Sequence, residues 1–473
     1  MRVEVRLRIV GDAGEIICDD ANVLVIDKCH DRLEAVGLSL DEGKEFLAGV
    51  QQHLVAAQAA AFAADHRCCT YCGRSLRRKG HTTLTFRTPF GNVPIDCPRL
   101  HRCRCAAAAA EEGPQTFSPL TSLLASHIAP ELLYLESKWA SLVSYGMTVD
   151  LLRDVLPIDT RLNPKTVRNH LHRMAERLES ELGDERPNFV DSCPRDWKAL
   201  PLPEGEMVVG IDGGYVRDWT DRKSHFGILV GKSLPQDRSD RYLGLVQSFD
   251  TKPKRRLWEH LCSQGLQLNQ AVTFLTDGGD DVRNLAAEMA PYAEHHLDWF
   301  HITMRLTVLG QYAKGLVHHD QEAGERIARN LLRIKRYLWH GNSRASLFWS
   351  QDLADDLYGL EEDCSYPNLK AFTQAVAEFA TYIEHNAHAI PNYGERYRND
   401  ERIATSFVES AVNVVIAKRF TKKQQIQWSR RGAHMLLQIR TRTLDGTLRG
   451  QFETWYPGLS ANDDQTSTQA AAA

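Results

Sequence analysis

Hydrophobic positions along the 473-residue chain change period several times, and each change marks a candidate element. The N-terminus, MRVEVRLRIVGD, alternates charged and apolar residues, which predicts a strand and not a signal peptide. Over 1–65 a strand pair leads into a helix from about Ser39 through the alanine-rich HLVAAQAAAFAAD. From Leu120 to about Leu182 the apolar positions recur at helical spacing. Within this stretch a helix ends near Leu156-Pro157, and after a short turn Asn163 caps a new helix with Pro164 in its first position. The second helix turns Val167, Leu171 and Met174 inward and presents Lys165, Thr166, Arg168, Asn169 and His172. A helix, a tight turn and a polar-faced second helix fit a DNA-contacting helix-turn-helix, although an ordinary helical hairpin shares the outline.

The proline-rich DERPNFVDSCPRDWKALPLPEG reads as a linker, and the period changes after it. EMVVGIDGGYV, SHFGILVGK and YLGLVQSFD predict three strands, and KPKRRLWEHLCSQGL predicts a helix. AVTFLTDGG predicts a strand, DDVRNLAAEMAP a helix and HHLDWFHI a fifth strand. Three strands, helix, strand, helix, strand is the order of an α/β, ribonuclease H-like fold. The core is expected over 200–302 and 403–450, with 303–402 as a helical insertion. Upstream, 66–110 and 118–185 form separate regions, and the polar, alanine-rich 460–473 is expected to be disordered.

No stretch approaches the roughly 20 apolar residues of a membrane span, so a cytoplasmic protein with no membrane partner is expected. The net charge of −4 argues against a uniformly basic coat, but its distribution is uneven. Between Arg74 and Arg104 lie Arg77, Arg78, Lys79, Arg87, Arg99 and Arg102, opposed only by Asp96. Between Lys418 and Arg442 lie Arg419, Lys422, Lys423, Arg430, Arg431 and Arg440, with no acid. Two basic tracts in a near-neutral chain suggest a polyanion held at chosen places; two solvated faces are the plainer reading.

The apolar ramp Met207-Val208-Val209 leads to Asp212, with two glycines after it, and FLTDGGDD repeats the device at Asp277. First and fourth strands are neighbours in a ribonuclease H-like sheet, which would bring both carboxylates to one cation. TSFVESAVNVVIAKRF supplies a third acid, Glu409, beside an apolar stripe of Phe407, Ala411, Val414 and Val415. Each pair of carboxylates at about 4 Å costs roughly 4 kcal/mol at an effective dielectric near 20, so something positive must hold them. Hard oxygen ligands select magnesium or manganese, and two such ions about 3.5–4 Å apart suit in-line phosphoryl transfer. The glycines would let a sugar-phosphate backbone approach. Taken singly, Asp-Gly after a strand is more often a turn, and a Glu beside an apolar stripe is usually solvated.

Eleven cysteines without an export signal point to metal or redox use, and six of them fall between Cys68 and Cys105. Cys69-x-x-Cys72 and Cys103-x-Cys105 flank a hairpin turning at Pro89-Phe90-Gly91-Asn92, the pattern of a zinc ribbon with a closed, structural Zn2+ site. Cys68 and Cys97 could substitute for a neighbour, and a redox pair is the rival reading.

LDWFHI places Asp298 and His301 in a D-x-x-H arrangement. Taken with GIDGGYVRDW, LTDGGDD, FVESAVNVVIAKRF and KKQQIQWSRRGAHMLLQIRT, it resembles the Kra-type insertion-sequence transposases of bacteria, relatives of the Mutator-like transposases. The resemblance covers roughly 200–450. It implies a DDE transposase in which Asp212, Asp277 and Glu409 are catalytic and hold Mg2+ or Mn2+. His301 would lie near the scissile phosphate, with Asp298 in support. The partners would be double-stranded DNA, as element terminal repeats and as target, and further copies of the chain at a synapse; the setting is the bacterial nucleoid. Lys165, Arg168, Asn169, Lys422, Lys423, Arg430 and Arg431 are the expected DNA-binding residues. A non-catalytic DNA-binding regulator and a nuclease without joining activity are the rival functions.

Overall fold

The computed structural model describes residues 1–11, 14–29, 31–105, 115–190, 193–203, 205–221, 223–236, 238–360, 364–421 and 427–460. Two compact units emerge, one from 1–174 with 446–473 and one from 175–445. The expected helical region 118–185 is therefore divided within a helix, and the end of the expected catalytic segment, 446–450, belongs with the N-terminal unit.

In the first unit, β1 (Arg2–Val10) and β2 (Ile16–Asp27) pair antiparallel, as the charge alternation predicts. Helix α1 (Leu40–Asp65) starts at Ser39, which with Glu42 forms a reciprocal capping box. Its Val55 and Ala59 pack on Val93, Ile95 and Cys97 of the hairpin β3 (Arg78–Thr88) and β4 (Gly91–His101). The hairpin turns through Pro89-Phe90, with Thr88 opposite Gly91, and β5 (Thr116–Phe117) adds to β4. The helices α2 (Leu120–Leu123), α3 (Pro130–Leu142), α4 (Tyr145–Val155) and α5 (Pro164–Glu181) follow. Asn163 accepts from the Thr166 amide, at 3.0 Å, as a cap does. The connection 156–163 is longer than the tight turn expected, and Arg153 pins it by donating to the Leu162 carbonyl at 2.8 Å.

The second unit opens with the short α6 (Pro194–Lys198) and carries a mixed sheet. Its strands are β6 (Met207–Asp218), β7 (His225–Leu234), β8 (Arg241–Val246), β9 (Val272–Thr276) and β10 (Ala293–Leu297). They lie in the order β10-β9-β6-β7-β8, with β9 and β10 parallel to β6 and the other pairs antiparallel. Helices α7 (Pro253–Ser263) and α8 (Asp280–Ala286) cover one face, where Leu257, Leu261, Val282 and Leu285 meet Met207, Val209, Ile211 and Phe274.

Between β10 and the end of this unit run α9 (Trp299–Val317), α10 (Gln321–Trp339), α11 (Ser343–Gly359), α12 (Leu369–His385) and α13 (Tyr393–Arg398). They share their own core, with Ile302, Ile327, Ile334, Phe372 and Phe379 buried in it. The chain then returns as α14 (Ser406–Val412), a π-helical stretch Asn413–Thr421, β11 (Gln427–Trp428) on β6, and α15 (Arg430–Leu444). The closing helix Leu448–Trp455 joins the first unit, where Arg449 forks onto Glu131 at 2.8 and 2.9 Å.

Two elements differ from the sequence reading. Strand β6 does not stop at Asp212 but runs six residues further to Asp218, held by antiparallel β7. The fifth strand stops at Leu297, and Asp298 caps α9 by accepting from the Phe300 amide at 2.8 Å, so His301 stands on a helix. No helix among the described residues is long and apolar enough to cross a membrane. Residues 461–473 lie outside the described residues.

Candidate active site and metal centre

Parallel pairing of β9 with β6 ends at Ile211 opposite Thr276, and pairing of β10 with β9 ends at Leu297 opposite Thr276. The next residue on each strand is an acid: Asp212, Asp277 and Asp298. Three neighbouring strands thus present carboxylates at one level of the sheet. Glu409 arrives on α14, which lies directly on β6. Gly210 and Gly214 flank Asp212 on one face of that strand. A Cβ at Gly210 would collide with Val408, and one at Gly214 would stand 2.7 Å from Ile416. Gly210 makes room for the helix bearing Glu409, and Gly214, one of the two glycines expected to admit a sugar-phosphate backbone, instead faces Ile416 of the π-helical stretch after it. A Cβ at Gly213 would only graze the Ile228 carbonyl and Leu229 at 3.9 Å; Gly278 adopts φ +89°, and a side chain there would meet Asn386 at 2.6 Å.

Val408 and Ala411 of this helix, with Val415 and Ile416 of the π-helical stretch after it, are buried; of the expected stripe Phe407 is half-buried with its ring against Gly210, and Val414 is half-buried.

Asp212 and Glu409 are half-buried, and both titrate above the ordinary carboxylate range. For Asp212 the main cause is burial, opposed by the Gly213 amide at 2.7 Å; Asp277 then pushes it up, His301 opposes, and Asp298 adds to the rise. For Glu409 burial again leads, then the charge of Asp212, with His301 opposing. The acids therefore feel one another, and His301 lies near enough to both to oppose the rise.

Asp298 is fully buried and joins the elements around the site. It accepts from the Thr405 amide at 3.2 Å and from the Thr405 hydroxyl, which ties the start of α14 to the start of α9. Its Oδ2 lies 4.0 Å from His301 Nε2. Thr405 was not singled out from sequence, although a Thr-Ser pair ahead of an apolar run is a helix-start signal. Tyr382 was also missed: its hydroxyl donates to the Asp277 carbonyl at 3.0 Å.

Two groups of described side chains offer metal-ligand atoms all within 4.8 Å of one another, and the three acids are not one of them. The expectation from sequence is a pair of ions held by these acids, not one ion caged by all three. A two-ion site does not demand it, since ions about 3.5–4 Å apart let outer carboxylates grip opposite sides.

One of the two groups is Glu179, Asp250 and His434. Arg256 already fills its centre, donating to Asp250 Oδ2 at 2.7 Å, to Glu179 Oε2 at 2.7 Å and to Gln438 at 2.8 Å. A guanidinium there does structural work that a metal would otherwise do.

The other is Cys69, Cys72, Cys103 and Cys105. Sulfur pairs stand 3.5, 3.6 and 3.2 Å apart, close to the separation of about 3.8 Å expected around one tetrahedral zinc. Amides of Tyr71 and Cys72 point at Cys69 and bring its thiol down to about 7, whereas the crowding of Cys103, Cys72 and Cys69 pushes Cys105 up to about 12. Such a split is what four thiols competing for negative charge produce, and a divalent ion relieves it. Cys68 is exposed outside this set, and buried Cys97 turns its thiol to the Ile95 carbonyl at 3.7 Å; neither substitutes for a ligand. Replacement Cys103→Ser is expected to lose about one zinc per chain in metal analysis and to open 66–105 to protease, with the second unit's unfolding midpoint unchanged. A redox pair predicts the reverse, with thiol titration responding to oxidant and no metal lost.

The basic tracts part company. Arg74, Arg77, Arg78, Lys79, Arg87, Arg99 and Arg104 are exposed, and none forms an ion pair among the described residues. In the second tract Arg419 and Arg440 are buried, Arg440 donating to the Val415 and Val414 carbonyls at 2.9 and 2.6 Å. Arg430 pairs with Asp218 at 3.2 Å and Arg431 with Glu176. Acids from distant segments thus face Arg430 and Arg431, whose side chains stay 49% and 56% exposed. Lys422 and Lys423 lie outside the described residues. On α5, Lys165, Arg168 and Asn169 are exposed while Val167, Leu171 and Met174 are buried, as expected. Among known proteins, neither a family model nor a curated sequence matches this chain.

Proposed function

We propose that this chain is a DDE-type DNA transposase with a ribonuclease H-like core, in which Asp212, Asp277 and Glu409 hold two magnesium or manganese ions. The observation that carries this reading is the shared register of Asp212 and Asp277, one residue past the last parallel pair of adjacent strands, with the Glu409 helix seated on the same strand. The strand order, with the first strand central between its antiparallel partner and the fourth strand, supports the core assignment. The helical run between Asp277 and Glu409 supports the family resemblance.

Bound divalent ions would supply charge for activating a water or 3′-hydroxyl and for stabilising the departing oxygen. The chain's own residues orient the site: Asp298 holds α9 and α14 in fixed relation, and His301 offers Nε2 beside the acids. With zinc bound, the ribbon and its exposed arginines, together with the exposed residues of α5, would hold the element's terminal repeats by their phosphates.

The test is a strand-transfer assay with magnesium on DNA bearing the inverted repeats that flank the reading frame. Joined product is the expected result. Nicking without joining would establish a nuclease, and a shifted band that is never cut would establish a regulator; either overturns the proposal.

A further inference from the structure

Helix α9 also carries an arginine that stacks on a neighbour of Asp277. Arg305 lies one turn beyond His301 and is exposed, and it makes no ion pair among the described residues. Its guanidinium lies over the Tyr382 ring, 4.1 Å from the centroid. Tyr382 is the residue whose hydroxyl donates to the Asp277 carbonyl at 3.0 Å. Arg305, Tyr382 and Asp277 are thus consecutive neighbours, with the cation on the outer side.

An arginine without a carboxylate usually keeps its freedom in solvent, where the entropy of a long side chain opposes any fixed pose. Stacking on an aromatic face removes part of that freedom while leaving the N–H edge open to an anion. The ring beneath is not free to move, because its hydroxyl is tied to the backbone of a candidate metal-binding turn. The same exposed face of α9 carries Met304, 50% exposed, and Val308, 49% exposed, which leaves apolar surface beside the guanidinium. A phosphodiester with its sugar matches that combination of charge-assisted N–H donors and apolar flank.

We propose that Arg305 is a phosphate-binding residue of the acid site, oriented by Tyr382 to grip the DNA backbone next to the phosphate that is cut. This rests on the reading of Asp212, Asp277 and Glu409 as the cleavage site. Arginine stacked in this way offers a planar fork that lysine lacks, so the two residues are not interchangeable here.

The experiment compares wild type, Arg305→Ala, Arg305→Lys and Tyr382→Phe in two arms. The first measures binding to a mixed-sequence DNA duplex in EDTA across a salt series. Arg305→Ala is expected to flatten the slope of log affinity against log salt by roughly 0.9, one phosphate contact, and Arg305→Lys to restore it. The second measures nicking of supercoiled plasmid in manganese. Arg305→Ala is expected to lose about 10²-fold in rate, as removal of one oriented donor does, and Arg305→Lys to recover only part of that. Tyr382→Phe keeps the stack and loses the carbonyl contact, so it should keep the wild-type slope and lower the rate. Arg305 is exposed, so unfolding midpoints serve as the control for intact fold in every variant. An unchanged slope in Arg305→Ala would overturn the assignment. Wild-type protein that fails to nick while the slope still drops would instead sink the cleavage reading and leave the phosphate contact standing.

Discussion

Asp212→Asn is expected to abolish DNA cleavage, by more than about 10³-fold, while leaving the protein at least as stable as wild type. The two halves of that result have one cause. Burial and the charges of Asp277 and Asp298 raise the Asp212 carboxyl above its unfolded value of about 3.9. A carboxyl whose folded pKa is raised binds more protons in the folded state, so stability falls as pH climbs from the unfolded value through the folded one. The penalty persists at neutral pH. Asparagine removes it, and a rise of roughly 2 °C in melting temperature without metal is expected at pH 8, fading toward pH 4. Magnesium should raise the melting temperature of wild type and not of the variant. Thermal unfolding with and without magnesium at both pH values checks this; a destabilised variant would show that Asp212 serves the fold and not a cation.

Arg256→Met should damage the second unit more than any surface change, by about 3–5 kcal/mol. Removing the guanidinium strands Asp250, whose side chain is 2% exposed, together with Glu179 and Gln438. Burial pushes Glu179 up, but His434 and Arg256 overcome it and hold the carboxyl at about 2. For a depressed carboxyl the stabilisation is present above the unfolded value of about 4.3 and is lost as pH falls toward 2. Urea unfolding should show wild type losing stability across that acid window and the variant losing less of it. Lysine at this position should rescue little, since one ammonium cannot serve both carboxylates and an amide in a fork.

The acid-bearing strands were legible because an apolar ramp ending on a carboxylate is a local pattern, and β6 and β9 carry it twice. The cysteine set was legible for the same reason, and geometry then chose among its six candidates. Misreadings came where the signal was non-local or ambiguous. HHLDWFHI is rich in residues that favour strands, yet Asp298 takes the cap and turns the second half into helix. The tract 418–442 looks bare of acids because its partners lie 212 and 255 residues away, at Asp218 and Glu176. Gly214, after Asp212, read as space for a ligand because sequence does not say that Ile416 will fill it. Tyr382 and Arg305 carry no pattern at all; only packing brings them beside Asp277.

The five-strand path is complete once Leu297 has been made, whereas the third acid waits for another stretch of chain and must then land on Gly210 and Gly214. On the proposed function, a polypeptide released early, through a nonsense codon or a stalled ribosome, would hold the five-strand path and the sheet carboxylates but lack the acid that completes the cleavage site. On that reading, partial products would be harmless to the genome that encodes them.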